Sequence, residues 1–151
     1  MKTTFLPLAF LFSLASNCAV GREFVTPEAA ATEYRLAFEG RDIARLLSMI
    51  DFYQEATDVL QRDAPGSQPE EASVRTLAEE RKNTLRERLE SKGFSPPGLD
   101  KCQILNSAKE SETRARVTFL CPGSGPLGPN YVSLSVSRSA DGWRIFRSVA
   151  K

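Results

Sequence analysis

The sequence contains no histidine, and this absence excludes several classes of function. Without an imidazole side chain there is no Ser-His-Asp triad, no histidine general base and no zinc or iron site with a histidine ligand. The acidic residues Glu55, Asp58 and Asp63 show no metal-ligand spacing either. We therefore expect no metal and no cofactor.

A marked excess of charge of one sign is also missing. The chain has 20 Lys and Arg against 19 Asp and Glu, and removal of Lys2 with a leader would leave 19 of each. A neutral protein has no general electrostatic affinity for nucleic acid or for anionic lipid. We therefore expect no nucleic-acid partner.

A hydrophobic run long enough to cross a membrane is missing too. The apolar stretch from Phe5 to Ala15 is well short of the roughly 20 residues that a spanning helix needs. It follows Lys2 and precedes small residues, which is typical of a secretory signal peptide. Small residues at the −3 and −1 positions of Ala19-Val20-Gly21 place the cleavage after Gly21. The sequence therefore predicts a signal peptide over residues 1–21, one domain over residues 22–151 and no transmembrane segment in the mature chain.

Cys18 offers an alternative, in which lipoprotein processing makes it the lipidated first residue. Asn17 stands where that motif has a small residue, and Ala15 stands where it prefers leucine. The sequence therefore favours a discarded leader and a periplasmic protein, with a lipid anchor through Cys18 as the alternative. Both routes export the chain.

Cys102 and Cys121 are the cysteines that remain after this cleavage, and an even number in an exported protein predicts a disulfide. Residues 100–110 and 113–121 both alternate like strands, and a two-residue turn at Ser111-Glu112 would place the two cysteines opposite each other. This register gathers one apolar face, interrupted by one polar residue: Ile104, Asn106, Ala108, Ala115, Val117 and Phe119. Because no Cys-x-x-Cys motif is present, we expect a structural disulfide rather than a redox pair.

Three helices are predicted before the strands. Thr26 and Pro27 are typical of a helix start, and Gly40 ends that helix. Asp42 caps a second helix, which reaches Leu60 directly or after a bend. A charged third helix is predicted from a cap at residue 73 to residue 91. The order of helices first and antiparallel strands afterwards indicates an α+β fold.

The last part of the chain predicts a second hairpin. Val132, Leu134 and Val136 alternate with polar residues, and Asp141-Gly142 separates this strand from a final one that begins at Trp143. With the cysteine hairpin, this makes four antiparallel strands.

Residues 26–51 and 132–150 resemble the nuclear-transport-factor-2-like superfamily, whose α+β fold is also called cystatin-like. The first segment has a capped helix, a break and a second helix that ends near Asp51, and the second has Trp143 directly after a tight turn. The resemblance is closest to small exported bacterial members. It implies N-terminal helices packed on a curved four-stranded antiparallel sheet, with a cone-shaped pocket between the layers.

The expected function is that of an exported, non-catalytic binding module. It would hold a small apolar ligand in the pocket or dock on an envelope protein, and the sequence leaves its oligomeric state open, a dimer included. The candidate contact residues are Tyr34, Phe38, Asp51, Tyr53, Tyr131, Trp143 and Phe146.

Two alternatives remain. One is a periplasmic immunity or inhibitor protein. The other is an enzyme similar to ketosteroid isomerase, in which Asp51 would act as base and Tyr34 or Tyr53 as hydrogen-bond donor. A lone aspartate at a helix end is more often a cap, so we expect that the protein is not an enzyme.

Overall fold

A computed structural model describes residues 24–94, 99, 101–123 and 130–150. The predicted leader, its cleavage site and Cys18 lie outside these residues. The described elements follow the predicted order of helices and then strands: α1 Pro27–Glu39, α2 Ile43–Ser48, α3 Phe52–Asp63, α4 Glu71–Lys92, β1 Gln103–Lys109, β2 Arg114–Cys121, β3 Asn130–Ser139 and β4 Gly142–Ala150. The predicted α+β class is confirmed.

Side-chain caps begin the first two helices, as the sequence predicts. The Thr26 hydroxyl accepts a hydrogen bond from the Ala29 amide at 3.2 Å, with Pro27 in the first turn. The Asp42 carboxylate accepts one from the Arg45 amide at 2.9 Å. Each cap satisfies an amide that would otherwise lack an intrahelical partner.

The predicted second helix is divided into α2 and α3, which gives four helices where three were expected. The intervening residues pair with β4: the Ile145 amide donates to the Met49 carbonyl at 3.0 Å, and the Asp51 amide donates to the Ile145 carbonyl at 2.6 Å. The same Asp51 then caps α3 by accepting from the Gln54 amide at 2.9 Å. Pairing with a strand replaces helical hydrogen bonds here, so the break is a tertiary effect.

The charged helix α4 packs on α2 and α3. It begins two residues before the predicted cap at Ser73 and ends at Lys92, one residue beyond the predicted end. Gly93 follows as the C-cap, with a φ of 68° that favours glycine. Its N-terminal half joins a small apolar cluster with α2 and α3: Leu47, Phe52, Ala56, Val74 and Ala78. Leu89, nearer its C-terminus, belongs instead to the main core between the helices and the sheet.

The sheet is antiparallel and has the order β1-β2-β3-β4. The predicted alternation of β3 is confirmed, because Val132, Leu134 and Val136 are all buried in the core. Alternate residues of β2 are buried with them. This buried face packs against α1 and α2, which is the two-layer arrangement that the sequence predicts.

The predicted register of the first hairpin is only partly correct. Ile104 opposes Phe119 as expected, but a bulge follows, and Asn106 then opposes Thr118 rather than Val117. No residue of β1 is buried, so the predicted apolar face is wrong for Ile104 and Ala108, whereas its β2 half, Ala115, Val117 and Phe119, is buried as predicted. The bulge avoids the cost of placing the Asn106 amide among apolar side chains.

The turn of this hairpin is also wider than predicted. Instead of a two-residue turn at Ser111-Glu112, the Arg114 carbonyl accepts hydrogen bonds from the amides of both Glu110 and Ser111, at 2.9 and 3.0 Å. The longer loop accommodates the one-residue shift that the bulge introduces.

The predicted disulfide between Cys102 and Cys121 is present, and both cysteines are buried. It links the residue before β1 to the last residue of β2, where the hairpin opens. A disulfide of this kind fits an oxidising compartment outside the cytoplasm.

Candidate functional site

A central cavity of about 380 Å³ lies between the helices and the sheet. This volume falls within the range of roughly 300–1,000 Å³ that is usual for small-molecule sites. The apolar part of its lining comes from α1, α2, α3, α4 and the sheet, together with residues next to them: Phe38, Leu46, Ile50, Phe52, Leu85, Leu89, Leu99, Val132, Ile145 and Phe146.

Helical spacing explains why two helices contribute to this wall. Tyr34 and Phe38 are four residues apart on α1, and Leu85 and Leu89 are four residues apart on α4, so each pair lies on one helix face. Phe38 also meets Phe94 edge-on, with ring centroids 4.9 Å apart. The contact joins α1 to the segment after α4 and brings the charged helix against the cavity.

Phe146 is positioned by a contact on its other side. The Arg114 guanidinium lies 5.3 Å from the centroid of the Phe146 ring, a cation–π arrangement. Arg114 is held in turn by Asp58 of α3, with N–O distances of 2.9 and 3.4 Å. The ring that lines the cavity is therefore supported by an ion pair between α3 and β2.

Tyr34 supplies a polar group to the cavity. Burial raises the pKa of its hydroxyl to about 12, and the negative charge of Glu55 adds to the shift. The phenol therefore stays protonated at physiological pH and can donate a hydrogen bond to a ligand.

Charged side chains complete the lining. Glu55 accepts a hydrogen bond from Arg81 at 2.8 Å. Arg88 and Arg147 are exposed, and neither forms an ion pair with another described residue. An apolar interior with a few polar groups is the usual composition of a site that binds a small organic molecule.

Three of the predicted contact residues, Tyr34, Phe38 and Phe146, come together in this cavity. Asp51 and Tyr53 line a different, more open groove between α2 and α4. The Asp51 carboxylate caps α3 and accepts a hydrogen bond from the Ser137 hydroxyl at 3.3 Å, while Tyr53 is half exposed. Of the two donors in the enzyme hypothesis, Tyr34 therefore lines a different cavity from Asp51, whereas Tyr53 lines the same groove.

The other two predicted residues lie apart from the cavity lining. Trp143 is a buried core residue whose amide donates to the Phe24 carbonyl at 2.9 Å. Tyr131 is 40% exposed and pairs across the strands with Leu120, which is also exposed. The two form an apolar patch on the sheet surface.

Sequence reasoning missed the contribution of α4 and of the arginines. Leu85 and Leu89 are visible in the sequence as the apolar stripe of a charged helix, and this spacing is the only signal that could have placed them at a cavity. No sequence spacing links Arg88 and Arg147, because Arg88 is on α4 and Arg147 is on the last strand. They line the same cavity only because of the way α4 packs.

The described parts of the chain contain no group of three or more acidic or cysteine side chains that could hold a metal ion. Within residues 24–94, 99, 101–123 and 130–150, no helix is both long and apolar enough to cross a bilayer.

Comparison with known proteins finds little similarity. No protein-family model matches the sequence. No curated protein matches it. Among solved structures, the chain is similar to a cystatin-like protein from Ruminococcus gnavus, with a TM-score of 0.41 and 17% identity, over 82% of this chain and 36% of that one. The chain thus spans just over a third of the length of that protein, and the α+β assignment rests on the helices and strand pairing described above.

Proposed function

We propose that this protein is an exported, non-catalytic binding module that holds a small, largely apolar molecule in the central cavity. The observation that carries this proposal is the lining of the cavity, in which apolar side chains from both layers surround about 380 Å³. Transfer of apolar surface from water into such a site is favourable by about 25 cal/mol per Å².

Two further observations favour binding over catalysis. The sequence has no histidine, and the Asp51 carboxylate is engaged by the Gln54 amide and the Ser137 hydroxyl. Tyr34 is left as a neutral donor beside apolar walls, a role that orients a ligand without transferring a proton.

Export is supported by the leader pattern of residues 1–21 and by the disulfide between Cys102 and Cys121. The periplasm is the compartment in which we expect the protein to act. Intact-mass analysis of the envelope fraction tests this, because a soluble chain that begins at Arg22 supports it and a diacylated chain that begins at Cys18 contradicts it.

Binding is tested by titration of the protein with N-phenyl-1-naphthylamine, an uncharged fluorescent probe for apolar sites. Leu85→Trp should fill part of the cavity and weaken probe binding by about tenfold, which corresponds to about 1.4 kcal/mol. Leu77→Trp is the matched control, because Leu77 is a half-buried leucine of the same helix outside this cavity.

The control should keep the affinity of the wild type within about twofold, which corresponds to less than 0.5 kcal/mol. Circular dichroism and melting temperatures should show that both variants are folded. The proposal fails if the wild type does not bind the probe, or if the two folded variants weaken binding equally. Native mass spectrometry of protein purified from the envelope is an independent test, because a retained apolar ligand would support the proposal.

A further inference from the structure

A smaller cavity of about 170 Å³ adjoins the central one. Glu55, Phe146 and Arg147 line both cavities, so the two are neighbours in space. The other residues that line the small cavity are Asp58, Val59, Arg62 and Arg81. Whereas most residues that line the central cavity are apolar, the small one is lined mainly by charged side chains.

Both carboxylates at the small cavity already have cationic partners. Glu55 accepts from Arg81 at 2.8 Å. Asp58 accepts from Arg114 at 2.9 Å and from the side-chain Nε2 of Gln54 at 2.8 Å. Their negative charges are therefore compensated within the protein.

The arginines are not all compensated. The side chains of Arg62 and Arg147 are exposed, and neither forms an ion pair or hydrogen bond with another described residue. The Nε atom of Arg81 is buried and has no hydrogen-bond partner in the same described part of the chain. A buried donor without an acceptor is unfavourable, and native proteins seldom leave one. The small cavity is thus lined by three arginines and two carboxylates, which leaves an excess of positive charge.

We infer that the ligand is an amphiphile with an anionic head group. This inference rests on the proposed function: the apolar part would occupy the central cavity, and the head group would bind at Arg62, Arg81 and Arg147 in the small one. Guanidinium groups suit planar or tetrahedral oxyanions, because they present several N–H donors in a fixed plane. The shared residues Phe146 and Arg147 provide the junction, with an apolar ring beside a cation.

The test compares three competitors for the bound N-phenyl-1-naphthylamine: sodium dodecanoate, dodecanol and inorganic phosphate. Dodecanoate and dodecanol share an alkyl chain and differ in the charge of the head group. Dodecanoate should displace the probe about fivefold more tightly than dodecanol, as expected for a partly exposed charge interaction of about 1 kcal/mol. Phosphate alone should not displace it.

The double variant Arg62→Gln/Arg147→Gln should remove the preference for dodecanoate and leave dodecanol affinity unchanged. Arg81 is kept in this variant, because its loss would leave Glu55 without a partner. Arg86→Gln is the matched control, since Arg86 is an exposed arginine of α4 that lines the other groove. High salt should weaken dodecanoate binding to the wild type and to this control more than to the double variant.

The inference is overturned if dodecanol binds as tightly as dodecanoate, or if the double variant keeps the preference. In either case the probe still binds, so the proposed function survives. Phosphate binding as tight as that of dodecanoate would also overturn it, because the small cavity would then hold a free anion. Failure of the wild type to bind the probe at all would refute the proposed function and this inference with it.

Discussion

The two edge strands of the sheet, β4 and β1, are held in opposite ways. Trp143 and Ile145 of β4 are buried in the core. The outer edge of β4 is also covered, because Phe24 pairs with Gly142, and the segment between α2 and α3 pairs with Ile145. Burial and hydrogen bonding therefore both hold this strand.

β1 has no buried residue, and Leu105 is 53% exposed. Two links outside the strand ladder hold it instead. One is the disulfide between Cys102 and Cys121. The other is a contact with α1, where the amide of Lys101, just before β1, donates to the Glu39 carboxylate at 3.1 Å.

The difference shows that one sheet can combine an edge stabilised by packing with an edge stabilised by a covalent link. A strand without an apolar face gains little from burial, so its pairing needs another source of stability. The central cavity is lined by residues of β4 and by none of β1. The proposed binding site is thus on the packed side of the molecule.

The largest expected effect comes from shortening a side chain on the packed side. Ile145→Ala should lower the free energy of unfolding by about 4 kcal/mol, because it removes fully buried methyl groups and leaves a void. Ile104→Ala, the same change on β1, should cost less than about 1 kcal/mol, because Ile104 is 39% exposed. Chemical denaturation measures both. Equal losses would contradict the distinction between the two edges.

Removal of the disulfide should have the next largest effect. Cys102→Ala with Cys121→Ala should lower the free energy of unfolding by about 3 kcal/mol, since the unfolded chain is no longer constrained by a closed loop. In this double variant, hydrogen exchange should be faster at the amides of β1 than at those of β4. Probe binding at low temperature should persist, because the disulfide does not line the central cavity.

Thiol titration of the denatured, unreduced mature chain provides the control for this prediction. It should find no reactive thiol, and two thiols per chain would show that the disulfide is absent. Loss of binding without loss of stability in the double variant would instead make the cysteine pair part of the working site.

The smallest expected effect concerns Tyr34, on the packed side of the molecule. Its titration should lower the free energy of unfolding at alkaline pH. The pKa of Tyr34 is raised from 10.0 to about 12, so between these values the unfolded chain releases the proton while the folded protein keeps it. Stability should therefore be unaffected below pH 10 and fall as pH rises, by about 2 kcal/mol at pH 12. The measurement is the unfolding free energy of wild type minus that of Tyr34→Phe as a function of pH.

Tyr53→Phe is the matched control, because Tyr53 is 49% exposed. If the Tyr34→Phe difference stays flat up to pH 12, the hydroxyl of Tyr34 is not buried in solution as the structure describes.

The elements with local signals were predictable from the sequence. Thr26 and Asp42 mark helix starts because a short polar side chain can cap a free amide. Val132 and its alternating neighbours mark β3 because successive side chains of a strand point to opposite faces. The disulfide was predicted by cysteine count and compartment, and it is correct although half of the register used to support it is wrong.

The candidate site was predictable only in part. Tyr34, Phe38 and Phe146 were named from the sequence and do line the central cavity. Asp51 was named too, but its pairing with β4 and its role as a cap set it in another groove. Side chains such as these have the same local sequence signal whether or not they meet in space.

By itself, the sequence determined where helices and strands form, which face of β3 is buried, and that two cysteines are available to join. These properties depend on neighbours within a few residues, so spacing and residue type suffice. Tertiary structure alone decided that the second helix is interrupted to cover β4, and that a bulge turns Asn106 away from apolar neighbours. It also gathered Arg62, Arg81 and Arg147 around one small cavity. Contacts between distant segments depend on how whole elements pack, and local spacing does not encode that packing.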